Sequence, residues 1–211
     1  MAKITALTRQ KKNPKRINVF LDGEFAFGLA EFTAVYLKIG QELTDADIAK
    51  LQSADDLEKA RESALGFIEY RPRSIQEVRK NLQGKEFNDA VIEQVINRLL
   101  DVGLLDDSLF AKYWVDQRET FKPRSQMALR QELMQKGVDR TIIDKAVALV
   151  DETAAAQRLA EKQAGRYANL EEAEFKKKLM SYLQRRGFNF GIVKEVTSNQ
   201  WDTISMENET G

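Results

Sequence analysis

Cysteine and histidine are both missing from this sequence of 211 residues. Without cysteine there can be no disulfide, thiolate zinc site, iron–sulfur cluster or cysteine nucleophile. Without histidine the usual general base, the commonest metal ligand and every Ser-His-Asp arrangement disappear as well. The enzyme classes built on those groups are excluded, and neither catalysis nor a metal or other cofactor is expected. The 3 prolines and 11 glycines are too few for a collagen-like or linker-like chain. No apolar run approaches the roughly 18 residues a membrane span needs. No apolar segment follows a basic start, so no secretory signal is visible, and a cytoplasmic protein without membrane contact is expected.

What is present is charge, balanced overall but sorted locally. The 33 Lys and Arg residues equal the 33 Asp and Glu residues. Residues 1–20 nevertheless carry Lys3, Arg9, Lys11, Lys12, Lys15 and Arg16 with no acid. Residues 42–58 reverse the sign, with Glu42, Asp45, Asp47, Asp55, Asp56 and Glu58 against Lys50 alone. Between 176 and 194 lie Lys176, Lys177, Lys178, Arg185, Arg186 and Lys194, again without an acid. Blocks of this kind point to charged partners. For any single block, a solvated face is an equal reading.

The first 29 residues alternate as β-strands do. Ile17, Val19, Phe25 and Phe27 occupy odd positions around Asp22-Gly23. A three-residue loop, Leu21-Asp22-Gly23, would pair Val19 with Phe25 and Ile17 with Phe27 on one face. Residues 3–8 supply a third strand after a basic loop at 9–16, and a helix at 30–38, stopped by Gly40, is expected to cover the sheet. Beyond Thr44 the pattern is helical. Thr44 with Asp47, Ser53 with Asp56, and Ser74 with Glu77 each fit a capping box at a helix start.

An internal repeat organises the rest. Pro72-Arg73-Ser74 recurs as Pro123-Arg124-Ser125, 51 residues further on. The same offset carries Val78 to Leu129, Leu82 to Leu133, Lys85 to Lys136 and Ile92 to Ile143. An offset of 50 then carries Leu129, Leu133, Lys136 and Gly137 onto Leu179, Leu183, Arg186 and Gly187. Ile92, Val95, Ile96 and Leu99 follow the spacing of one apolar helix face, and their counterparts keep it. Each unit contains three helices, at 54–70, 75–84 and 89–101 in the first. The middle helix ends at a glycine in the later units, whereas the first has Glu86 there and must close its turn differently. The expected architecture is mainly α: an elongated array of three tandem three-helix repeats behind a small N-terminal β-hairpin or sheet plus helix. Its boundaries fall at 1–53 for the N-terminal part, 54–105, 106–153 and 154–200 for the repeats, and 201–211 for a flexible tail.

Several of these segments, taken in order, resemble the RecX family of regulators of the bacterial recombinase RecA. The resemblance rests on Tyr70-Arg71-Pro72-Arg73-Ser74 with Glu77-Val78 and Leu82, then Val95-Ile96-Asn97-Arg98-Leu99 and Gly103-Leu104-Leu105-Asp106-Asp107. It continues through Arg130-Gln131-Glu132-Leu133, Lys136-Gly137-Val138 and Arg185-Arg186-Gly187-Phe188, covering about residues 57 to 197. Lys122-Pro123-Arg124-Ser125 departs from the glycine-containing basic loop of many members while keeping its charge. The resemblance implies a non-enzymatic monomer, acting in DNA repair, recombination and the SOS response. It implies binding in the helical groove of the RecA–single-stranded-DNA filament, so that extension, ATP hydrolysis, strand exchange and co-protease activity fall. Direct binding of single- or double-stranded DNA is attributed to some members.

Basic residues recur around each middle helix. Arg71, Arg73, Arg79 and Lys80 lie in the first repeat, and Lys122, Arg124 and Arg130 in the second. Lys176, Lys177, Arg185 and Arg186 lie in the third. Regular stacking would join these candidate partner- or DNA-binding residues into one basic stripe that contacts phosphates or an acidic groove by charge. Helix C-terminal cations complementing the dipole are the competing reading for Lys85, Lys136 and Arg186. A contact role is favoured for Arg73 and Arg124. Trp114, Tyr113, Phe67 and Tyr70 could stack on bases, but their helical spacing favours core positions. Asp106-Asp107 suits a helix N-cap better than a metal site. The functional classes left are a recombinase-filament regulator, a sequence-independent DNA-binding protein and a passive helical-repeat scaffold.

Overall fold

The alternation of the first residues produces a four-stranded antiparallel sheet. Its strands are β1 (Ala2–Arg9), β2 (Arg16–Leu21), β3 (Glu24–Ala30) and β4 (Glu42–Leu43), in the order β3-β2-β1-β4. A computed structural model describes the backbone of residues 1–210 and the side chains of residues 1–206. The β2–β3 connection is the two-residue turn Asp22-Gly23, with φ of 50° and 93°, rather than the three-residue loop expected. Both positive angles belong to a type I′ turn, whose twist matches that of the flanking strands. The apolar face is rescued by a bulge instead. A register shift between Val19 and Phe20 sets Val19 opposite Phe27 and Ile17 opposite Leu29. Phe25, expected opposite Val19, faces outward and meets Phe20 edge-on at 5.9 Å.

The helix expected at 30–38 is one turn, α1 (Glu31–Ala34). The chain then folds back so that the Gly40 N–H donates to the Ile4 carbonyl, which starts β4. The covering helix is α2 (Asp45–Ile68), whose Ile48 and Leu51 join Ile4, Val19 and Leu29 in the first core. Its capping box, Thr44 with Asp47, is formed as expected. The one expected at Ser53 is not, because Ser53 lies inside an uninterrupted helix of 24 residues.

Helices α2, α3 (Ile75–Gln83) and α4 (Asp89–Asp101) make the first repeat. The second comprises α5 (Asp107–Phe121), α6 (Gln126–Gln135) and α7 (Arg140–Val147). The third comprises α8 (Glu152–Ala164), α9 (Glu172–Arg185) and α10 (Phe190–Thr210). The apolar faces aligned by the 51-residue offset are buried, Ile92, Ile96 and Leu99 in the first repeat and Leu129, Leu133 and Ile143 in the second. Trp201 and Ile204, placed by the sequence reading in a flexible tail, continue α10. Trp201 packs on Phe175 at 5.2 Å and Ile204 is buried, so apolar contact holds this turn in the helix. Residues 207–211 of that tail lie outside the described side chains.

The chain forms two compact units, Met1–Arg71 with Val78–Leu104, and Pro72–Glu77 with Leu105–Gly211. Among the described residues, no helix is long and apolar enough to cross a membrane.

Candidate functional site

Repeat-to-repeat joints in the second unit determine which charges remain available. Asp106 caps its own helix α5, accepting from the N–H groups of Ser108 and Leu109. The next residue, Asp107, instead accepts from the Ile75 N–H at 2.9 Å and so caps α3. The arrangement recurs one repeat later. Asp151 caps α8 through Ala154, while Glu152 accepts from the Gln126 N–H at 2.6 Å and caps α6. Each acid pair thus satisfies first-turn donors on two helices, its own and one before it in sequence. Burial pushes the Asp107 carboxyl above its ordinary range, against the Ile75 hydrogen bond that lowers it. The capping reading of Asp106 is correct, and Asp107 caps a different helix.

The second half of each joint uses the Pro-Arg-Ser loop. Ser74 and Ser125 are both fully or almost fully buried. The Ser74 hydroxyl donates to the Lys136 carbonyl at 2.7 Å, and the Ser125 N–H to the Arg186 carbonyl at 3.3 Å. Gly137 and Gly187 have φ of 77° and 95° and leave no room for a side chain. A Cβ on Gly137 would lie 2.5 Å from Gln76 Cβ, and one on Gly187 would lie 2.6 Å from Ser125 Oγ. Glu86, at the equivalent place in the first repeat, adopts the same left-handed turn with φ of 62°. Its turn is therefore not closed differently: the Phe87 N–H reaches the Leu82 carbonyl as Val138 reaches Leu133.

These joints consume many of the predicted contact residues. Lys136 bonds Glu77 at 2.7 Å and lies over the Trp114 ring at 4.4 Å. Trp114 donates to Glu132, which also pairs with Arg118 at 2.7 Å and Arg124 at 3.6 Å. Trp114 is therefore built into the second repeat, not presented for base stacking. Tyr113 and Phe67 are half-buried, whereas Tyr70, read as core, is exposed. Arg79 pairs bidentately with Glu93, and Arg130 takes the same place with Asp144 at 3.1 Å. Both arginines tie the middle helix of a repeat to its third helix. Lys176 is paired with Glu172 along α9, and Arg186 stacks on Tyr182 at 5.1 Å. Arg71 and Arg73 are half-buried and already engaged.

Four candidates stay exposed, without an ion pair to any described residue: Lys80, Lys122, Lys177 and Arg185. Lys80 belongs to the first unit. Within the second unit, the Arg124 guanidinium donates to the Arg185 carbonyl at 3.4 Å, and Lys177 and Arg185 line one hollow with Tyr167, Lys178 and Ser181. The second and third basic clusters therefore meet along α9. Sequence reading missed Glu77, Asp107, Glu132 and Glu152 as joint residues. The signal available was the acid pair Asp106-Asp107 recurring as Asp151-Glu152. It missed Asp55 too, counted in an acidic surface block. Asp55 is buried, accepts from the Ala30 N–H, and pairs with Arg16 at 2.7 Å and Lys59 at 2.8 Å. Among the described residues, no group of acids converges in a way that could hold a metal.

A small antiparallel sheet followed by three tandem three-helix repeats, linked through reciprocal caps, defines a helical-repeat protein that presents charged loops and helix ends. Comparison with known proteins gives the family. The RecX N-terminal domain model matches residues 2–44, and the first, second and third RecX three-helix domain models match 60–99, 106–147 and 151–197. Regulatory protein RecX of Bacillus subtilis is 36% identical over 98% of this chain and 78% of its own length. That of Clostridium botulinum is 31% identical over 93% of this chain and 95% of its own length. A crystal structure of regulatory protein RecX superposes with a TM-score of 0.69 at 28% identity, covering 94% of this chain and all of that one. The chain belongs to the RecX family of regulatory proteins.

Proposed function

We propose that this protein binds the RecA–single-stranded-DNA filament in its helical groove as a monomer and, without chemistry of its own, inhibits filament extension. ATP hydrolysis, strand exchange and co-protease activity fall as consequences, which places the protein in cytoplasmic DNA repair and the SOS response. The observation that carries this reading is membership of the RecX family along nearly the whole chain. The basic clusters around Lys122, Arg124, Lys177 and Arg185 support it, since several weak charge contacts on one body add to each other's effective concentration.

The ATPase of a RecA filament titrated with the folded protein tests the proposal. Inhibition that exceeds what binding to free DNA or to monomeric RecA accounts for is expected. Absence of inhibition overturns it. Affinity for naked DNA that falls steeply with salt, with no effect on the filament, would select the DNA-binding reading instead. Failure to bind either would leave the passive scaffold.

A further inference from the structure

The β1–β2 hairpin tip carries a concentration of positive charge that the helical repeats do not explain. Residues 10–15 read Gln-Lys-Lys-Asn-Pro-Lys, and Lys11, Lys12 and Lys15 are all exposed. None has an ion-pair partner among the described residues. The tip is well tethered. The Gln10 N–H donates to the Arg16 carbonyl at 2.9 Å, the Arg16 N–H to the Asn13 carbonyl at 3.0 Å, and the Lys15 N–H to Asn13 Oδ1 at 3.2 Å. The Lys15 carbonyl accepts from the Glu31 N–H at 2.8 Å.

The nearest acids cannot neutralise this tip, because cations beside it already occupy them. Arg9 pairs with Glu31, and Arg16 with the buried Asp55. Asp22 and Glu24 sit at the β2–β3 turn, the far end of the six-residue β2. At about 3.3 Å per residue that is roughly 20 Å away, beyond a screening length of about 8 Å at physiological salt. The small sheet is therefore electrically polarised, positive at the 11–15 end.

We propose that this tip is a sequence-independent contact for the phosphate backbone of nucleic acid, with Lys11, Lys12 and Lys15 each placed on a phosphate. The composition of the tip selects this partner. Insertion into a lipid headgroup layer needs apolar or aromatic side chains beside the cations, and residues 10–15 contain neither. The centre of a protein interface is apolar and poor in lysine. Phosphate contacts need only flexible cations and amides, which the tip supplies.

The test uses the full chain, without recombinase. Binding to a fluorescein-labelled duplex and to a labelled poly-dT strand is followed by anisotropy across a salt series. The variant Lys11→Gln/Lys12→Gln/Lys15→Gln is expected to bind at least about tenfold more weakly, with its log K against log salt slope flatter by about two units on duplex. Lys→Arg at the same three sites should keep the affinity, and Lys50→Gln should leave it unchanged. The duplex and single-strand arms show which form of backbone the tip takes. The proposal is overturned if the parent binds neither DNA, or if the glutamine variant keeps the parent's affinity and slope at an unchanged melting temperature. It is likewise overturned if the loss appears only on vesicles of anionic lipid. Inhibition of RecA ATPase is read separately. DNA binding lost in the variant, with no inhibition by the parent, would sustain this site while rejecting the recombinase reading.

Discussion

Glu86 and Gly137 occupy the same left-handed turn one repeat apart, with φ of 62° and 77°, yet substitution there should have opposite signs. Glycine adopts this region without steric cost, whereas an L side chain strains it by about 1–2 kcal/mol. Glu86→Gly is expected to stabilise the protein by about 1 kcal/mol, the unfolded-state entropy of glycine offsetting part of the relief. Gly137→Ala should instead cost at least about 1–3 kcal/mol, because its Cβ would also meet Gln76 at 2.5 Å. Chemical denaturation of both variants measures the pair. Asp55 gives a larger effect. Asp55→Ala would leave the Ala30 N–H unpaired and Arg16 without its carboxylate. A loss of about 3–5 kcal/mol is expected for a buried pair broken on one side, and a loss under about 1 kcal/mol would show the site to be wet.

At the scale of elements, the joint between α3 and α5 turns on one acid whose ionised form is disfavoured by burial. The folded carboxyl of Asp107 titrates above its ordinary 3.8. Its favourable contribution is therefore complete below that value and is lost as pH rises through the folded titration, the reverse of a salt-bridged carboxylate. Asp107→Asn keeps an acceptor for the Ile75 N–H but carries no charge. It should be nearly neutral at about pH 3.5 and gain relative to the parent towards about pH 7, measured by urea unfolding at each pH. Asp107→Ala, which removes the cap, should lose about 1 kcal/mol. The Glu58 and Glu93 carboxyls have the opposite sign: Arg61 and Arg79 hold them below the usual range. Their contribution is present above the ordinary titration and disappears on further acidification.

For the whole molecule, the division of arginines and lysines into structural and available sets predicts two separable phenotypes. Arg79→Ala and Arg130→Ala break equivalent pairs with Glu93 and Asp144. Each should lower stability by about 0.2–1 kcal/mol, as partly exposed pairs do, and leave inhibition of a RecA filament near the parent level. Lys122→Glu/Lys177→Glu/Arg185→Glu should do the reverse, keeping the melting temperature while severely weakening inhibition. Single reversals should act mildly, since each contact is one of several. A triple variant that stays folded and inhibits like the parent would move binding onto other residues.

The repeat, its period and its apolar faces were legible in the order of residues, because helix periodicity is local and the offset aligns Val78, Leu82 and Ile92 with Leu129, Leu133 and Ile143. The caps at Thr44, Ser74 and Asp106 were legible for the same reason: a cap reaches only two or three residues along its own chain. The hairpin register was not, since a bulge at Val19–Phe20 restores the buried face after a turn that alternation alone would reject. Nor did Ser53 mark a helix start, because packing against the sheet carried α2 through a locally favourable cap. Which cations remain available is purely tertiary. Arg79, Arg130 and Lys136 look like Lys80 and Lys177 in sequence. Only the approach of Glu93, Asp144 and Glu77, 14 to 59 residues away along the chain, separates the neutralised from the exposed. Charge type is a property of a residue, but charge availability is a property of its neighbours, and folding chooses those.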